Sequence, residues 1–98
     1  MLVEIFEHVS DGVVVLGHDW VYRYVNAAAG RLLGREPREL IGRDYRREYP
    51  DALDQPFFAA YARAMATGVP AVFEAHYAPW DRWFENRLYP GPQGLAIL

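Results

Sequence analysis

Between Asp11 and Gly34 the chain places two apolar strands and a capped helix one after another with no linker, and this restricts the fold more than any other stretch. Val13-Val14-Val15-Leu16 is an unbroken apolar run, the pattern of a strand buried on both faces. Gly17-His18-Asp19-Trp20 supplies turn formers. Val21 to Val25 is β-branched and aromatic and reads as the returning strand of a hairpin. Asn26 then falls at a helix N-cap, where its side chain can accept a bond from a free N–H one turn in. Ala27 to Leu33 forms a short helix, and Gly34 ends it. A hairpin that runs directly into a helix must share one core with it.

The remaining pattern extends this unit. Leu2, Ile5, Phe6 and Val9 lie at i, i+3, i+4 and i+7, one apolar stripe on an N-terminal helical cap (residues 1–10) stopped by Ser10-Asp11-Gly12. So short a helix holds only if the stripe packs on a surface. Pro37 suits the first turn of a further helical segment and Gly42 its C′ position. Asp44 to Tyr49 adds another turn before Pro50. Pro56 opens the main helix, in which Phe57, Phe58, Tyr61 and Met65 share one face about 100° wide. Gly68 and Pro70 end it.

Ala71–Ala78 and Arg82–Tyr89 read as strands around a Pro79-Trp80-Asp81 turn. Centring the turn there sets Glu74 opposite Glu85, Ala75 opposite Phe84 and His76 opposite Trp83. One face of the pair then carries Phe73, Ala75, Phe84, Asn86 and Leu88, and the other Val72, Glu74, His76, Trp83, Glu85 and Arg87. Gly91 to Gly94 turns into a last strand, Leu95 to Leu98. The order ββ, short helices, one longer helix, βββ predicts an α+β fold with helices on one face of an antiparallel sheet.

Composition narrows function mainly by exclusion. The chain has 98 residues, the length of one domain, and is 52% hydrophobic, enough for a core. It has no lysine, and its ten basic residues are arginines spread along the chain, for a net charge of −3. A basic field for nucleic acid is absent. With no cysteine there are no disulfides, thiolate metal sites or thiol nucleophiles. No apolar run reaches the roughly 18 residues a membrane span needs. Met1 to Val9 has two glutamates and no cleavage site, unlike a signal peptide.

Asp11-Gly12, Tyr24-Val25-Asn26-Ala27-Ala28, Leu32-Leu33-Gly34 and Glu39-Leu40-Ile41-Gly42, followed by Trp83-Phe84-Glu85, Tyr89-Pro90 and Gly94, together resemble a PAS domain over nearly the whole chain. No single motif is specific; their joint order and spacing are. The resemblance implies a five-stranded antiparallel sheet with its central strands formed by the chain ends, and helices enclosing a small cavity. It further implies a cytoplasmic regulatory module of a signalling protein such as a sensor histidine kinase or diguanylate cyclase. Residues 11–98 would form the core, ending before the signal linker expected to lead to an effector domain of the same chain.

Under that resemblance the expected ligand-cavity residues are Phe57, Phe58, Tyr61, Met65, Phe73, Phe84 and Asn86. Asn86 is the one strongly polar residue on the inner face. It is either a ligand contact or a core amide bonded to backbone or a tyrosine hydroxyl. A possible small-molecule ligand therefore stands beside a ligand-free docking module with a filled core. Flavin light sensors resembling this fold use a helix cysteine; the corresponding Gly42–Arg46 has none, which excludes a cysteinyl-flavin adduct. Haem-binding relatives use a long-helix histidine, absent between Pro56 and Thr67, so haem held in that way is not expected. Tyr61 could ligate iron in principle.

No catalytic set converges, so an enzyme on an α+β fold ranks third. Ser10, the one serine, has no histidine near it in sequence, and the Glu74–Glu85 pair falls on the outward face. His8, His18 and His76 lack metal-ligand spacing. Val72, His76 and Trp83 leave apolar area on the outward face, which calls for a covering partner. The stripe of Leu2, Ile5, Phe6 and Val9 needs a surface in turn. The simplest reading is that one covers the other, within the chain or across a homodimer.

Overall fold

The computed structural model describes residues 11–98. The expected N-terminal helical cap, with Leu2, Ile5, Phe6, Val9, His8 and Ser10, lies outside them. Strands β1 (Val14–Leu16), β2 (Tyr22–Val25), β3 (Ala71–Tyr77), β4 (Arg82–Gly91) and β5 (Gly94–Ile97) form one antiparallel sheet in the order β2-β1-β5-β4-β3. The first and last strands are therefore neighbours near the middle of the sheet. Helices α1 (Ala27–Leu33), α2 (Pro37–Leu40), α3 (Tyr45–Glu48) and α4 (Pro56–Thr67) fill the crossover between β2 and β3, with a 3-10 turn at Pro50–Asp54. This is the α+β architecture expected from the element order.

The hairpin differs in detail from the expected doubly buried strand. Val13 and Leu16 are fully buried, whereas Val14 and Val15 are half-buried, and the register shifts between Val15 and Leu16. Trp20 closes the turn with φ 69°, unusual for a residue with a Cβ, and its ring stacks on Phe58 at 4.6 Å.

Asn26 holds the junction between hairpin and helix. Its Oδ1 accepts from the Ala29 N–H at 2.8 Å, the N-cap bond, and from the Val13 N–H at 2.9 Å. Its Nδ2 donates to the Asp11 carbonyl at 3.0 Å. One buried side chain thus ties the start of α1 to the segment entering β1.

The β3–β4 register is the one read from the turn: Glu74 faces Glu85, Ala75 faces Phe84 and His76 faces Trp83. Ala75, Tyr77, Asn86 and Leu88 are buried beneath α4, while Val72, Glu74, Trp83, Glu85 and Arg87 are exposed on the other side. Gly94 makes the central pairing possible. A Cβ there would lie 2.9 Å from the Gly17 Cα and closer still to the Leu16 carbonyl oxygen, and its φ is 143°. No L side chain fits where β5 crosses the end of β1.

Candidate functional site

Between α4, the short helices and the sheet lies a cavity of about 150 Å³. Its wall is mainly aromatic, for a reason visible in the elements. Along α4 the buried positions are Phe57, Tyr61 and Ala64, spaced i, i+4 and i+7. From the sheet, alternate residues of β3 and β4 point at that line. Tyr45 opens α3, whose N-cap Asp44 accepts from the Arg46 N–H at 2.8 Å. That cap turns the Tyr45 ring inward, where it lies 5.7 Å from Tyr61, 5.9 Å from Trp20, 6.2 Å from Tyr22 and 6.4 Å from Tyr49.

Phe57 is a second hub. It meets Phe73, Tyr77 and Phe84 edge to face, at 5.7, 5.9 and 6.1 Å. Such contacts set the positive edge of one ring on the negative face of another and fix ring orientation.

Of the seven residues expected at the cavity, four line it: Phe57, Tyr61, Phe84 and Asn86. Phe58, Met65 and Phe73 do not. Phe58 and Met65 flank the helix line whose centre runs through Ala64, and Phe58 turns to Trp20 instead. Phe73 backs Phe57 and Tyr61 from behind. The sequence reading missed Tyr22, Tyr45, Tyr49, Tyr77 and Trp80, all in the wall. The signal that could have found them is the density of tyrosine in segments too short to be read by periodicity.

Asn86 is buried, and its Oδ1 accepts from the Tyr61 hydroxyl at 2.6 Å. The expected tyrosine bond is thus present, while Asn86 also faces the cavity. The Tyr49 hydroxyl is buried with no partner in hydrogen-bonding geometry among the described residues. Burial pushes the phenol pKa of Tyr22, Tyr45 and Tyr61 well above the ordinary value, with neighbouring tyrosines adding to the rise. Tyr49 is raised as well, chiefly by burial, and the nearby Arg35 guanidinium opposes that rise. Arg35 itself is paired to Glu48 at 2.8 Å. All these phenols stay neutral at physiological pH, so the wall carries hydroxyls but no charge.

The other candidates lie elsewhere. Val72 and Trp83 are 66% and 69% exposed on the bare face of the sheet. His76 sits between the Trp83 ring at 5.3 Å and the Asp81 carboxylate at 2.8 Å. Glu74 and Glu85 face each other on that surface, with Glu85 3.6 Å from Arg87, and no cleft encloses them. His18 lies in the exposed β1–β2 turn, with Nε2 3.2 Å from the Gly91 carbonyl. Among the described residues no three His, Cys, Asp or Glu side chains cluster as metal ligands.

The fold and cavity point to a sensory-domain family, and sequence comparison names it: a sequence model of the PAS fold matches residues 6–97, so the chain belongs to the PAS-fold family. Solved structures agree on the fold. The chain is similar to the photoactive yellow protein domain of the sensor histidine kinase Ppr from Rhodospirillum centenum, at 22% identity and TM-score 0.74, covering 96% of this chain and 87% of that one. It is similar to a domain of an HTR-like protein from Haloarcula marismortui, at 20% identity and TM-score 0.72, covering 91% and 94%. The PAS domain of the histidine kinase ThkA matches at 20% identity and TM-score 0.71, covering 87% and 92%. No curated protein sequence matches the chain. Among the described residues no helix is long and apolar enough to cross a membrane.

Proposed function

We propose that this domain is a cytoplasmic sensory module whose cavity state is passed through the sheet to an effector domain of the same protein. One observation carries the reading: the aromatic cavity touches Ile97 on β5, the strand at the centre of the sheet. Leu98, the next residue, exchanges backbone hydrogen bonds with Arg87 at 2.9 and 3.0 Å. A change of cavity contents therefore acts directly on β5 and next to its pairing with β4. The structural likeness to the histidine kinase ThkA, solved in complex with the response regulator TrrA, supports this reading. This chain spans 29% of that ThkA chain, so kinase output belongs to the proposal.

No catalysis is proposed for the domain, since among the described residues no nucleophile, paired acid and base, or metal set converges on the cavity. No flavin adduct or histidine-ligated haem is proposed either. The chain has no cysteine, α4 has no histidine, and the cavity is small beside ordinary cofactor pockets. The test fills the cavity covalently. Ala52 is buried in its wall, and Ala52→Leu adds three carbons there. Amide exchange at Arg87 and Leu98 should change by severalfold in this variant. Unchanged exchange in a folded variant would disconnect cavity from strand.

The exposed Val72 and Trp83 favour a second role, docking. Here the bare face meets a second copy, or is covered by the stripe Leu2, Ile5, Phe6 and Val9. Light scattering separates the two, because a strict monomer at high concentration leaves only the covering within one chain.

A further inference from the structure

We propose that the cavity selects an uncharged single-ring aromatic molecule bearing a hydrogen-bond acceptor, which the Tyr49 hydroxyl and the Asn86 amide would contact. The proposal rests on the sensory reading above and specifies its ligand.

Size sets the first limit. A cavity of about 150 Å³ matches the volume in which an apolar protein cavity holds a molecule the size of benzene. The site is open on one side, so a larger molecule would leave its remaining rings outside the aromatic wall. Shape sets the second. Phe57, Phe84, Tyr45 and Trp80 present ring surface on several sides, which suits a flat partner that stacks on one ring and meets others edge on.

Charge sets the third. No Asp, Glu, Arg or His side chain lines the cavity among the described residues. An anion would lose its water and gain only neutral donors, a large cost. A cation could gain from ring faces. Here, however, no carboxylate lines the cavity among the described residues to replace the water a cation would lose. A neutral molecule meets neither penalty.

Polarity sets the last. The buried Tyr49 hydroxyl meets no partner in full hydrogen-bonding geometry among the described residues, and the nearby Arg35 guanidinium can only donate to its oxygen, which leaves its O–H to donate. Asn86 spends its Oδ1 on Tyr61. Its Nδ2 carries two N–H donors on a side chain that lines the cavity. Donors on two of the residues that line the cavity ask for an acceptor.

The test uses five probes with the purified chain: toluene, anisole, phenol, benzoate and tetramethylammonium. Binding is followed by calorimetry and by amide shifts of residues 45–61. Anisole and phenol should bind, toluene more weakly by about tenfold, the effect of one net hydrogen bond. Benzoate and tetramethylammonium should not bind. Tyr49→Phe and Asn86→Leu should each reduce the preference for anisole over toluene, and together they should abolish it. Ala52→Leu should abolish binding of every probe.

Benzoate or tetramethylammonium binding as tightly as anisole overturns the ligand class while a sensory cavity stands. Binding of anisole that Tyr49→Phe and Asn86→Leu both leave unchanged overturns the assigned contacts. Silence of all five probes with the wild-type chain also overturns the proposal. The exchange response of Arg87 and Leu98 to Ala52→Leu then decides separately whether the sensory reading survives.

Discussion

Two asparagines are buried in this domain, and they are used in opposite ways. Asn26 is 1% exposed and bonds to backbone groups of three residues: Asp11, Val13 and Ala29. Asn86 is 8% exposed and bonds to one side chain, the Tyr61 hydroxyl, at a cavity wall. Backbone partners cannot leave without unfolding a strand end or a helix start. A phenol can rotate away or share its bond. The first asparagine is therefore part of the architecture, and the second has chemistry left to use.

The sharpest way to break this contrast is Asn26→Ala. It removes the N-cap bond and leaves the buried Val13 N–H without its side-chain acceptor, which together should cost about 3 kcal/mol. Urea denaturation measures it. A loss below about 1 kcal/mol would remove Asn26 from its architectural role. Asn86→Leu comes next. It strands the buried Tyr61 hydroxyl and should cost about 2 kcal/mol. Adding Tyr61→Phe to that variant should recover most of the loss, since removing both partners is far milder than removing one. No recovery would mean that Asn86 acts through packing.

The two asparagines were not equally legible in the sequence. Asn26 stands after a strand and before Ala27-Ala28, so a cap was expected, and the Ala29 bond is that cap. Its bonds to Asp11 and Val13 depend on how closely the hairpin entry passes α1, which local spacing does not contain. Asn86 was legible as an inward residue because strand alternation is strict from a fixed turn, and the register followed to the residue. Its tyrosine bond was one of the alternatives left open. The aromatic wall was half legible. Phe57 and Tyr61 lie on a long helix with a clear period, whereas Tyr45 and Tyr49 belong to a four-residue helix and its C-cap, too short for any period to show. Ala64 rather than Met65 continues the buried line because the helix turns about 100° per residue, and volume alone points to the wrong one.

Alkali sharpens the comparison from the cavity side. With no lysine or cysteine, tyrosine is the side chain that titrates between about pH 9 and 11. Burial raises the folded-state pKa of Tyr22, Tyr45 and Tyr61, so the unfolded chain gives up its phenolic protons first. The stability these groups contribute is complete below about pH 10 and is lost as pH rises from there toward the folded-state values. Each group steepens the fall by at most about 1.4 kcal/mol per pH unit. Tyr61→Phe should remove one share of the slope, whereas Asn26→Ala should lower stability equally at pH 8 and pH 11. Parallel slopes for wild type and Tyr61→Phe would mean that Tyr61 ionises as freely folded as unfolded.

The smallest expected effect on stability falls on the face of the sheet that neither asparagine touches. Trp83 is 69% exposed, beside the half-buried His76. Trp83→Ser should change stability by no more than about 0.5 kcal/mol, because an exposed side chain away from caps and core loses little. Its effect on association should be much larger. A tryptophan in an exposed apolar patch is the kind of residue that anchors an interface, and few others on that face could replace it. Sedimentation of wild type and variant over the same concentration range separates the two outcomes. A variant that folds equally well but dissociates assigns the bare face to a partner. A variant that associates as wild type does would leave the cavity face as the domain's remaining route to function.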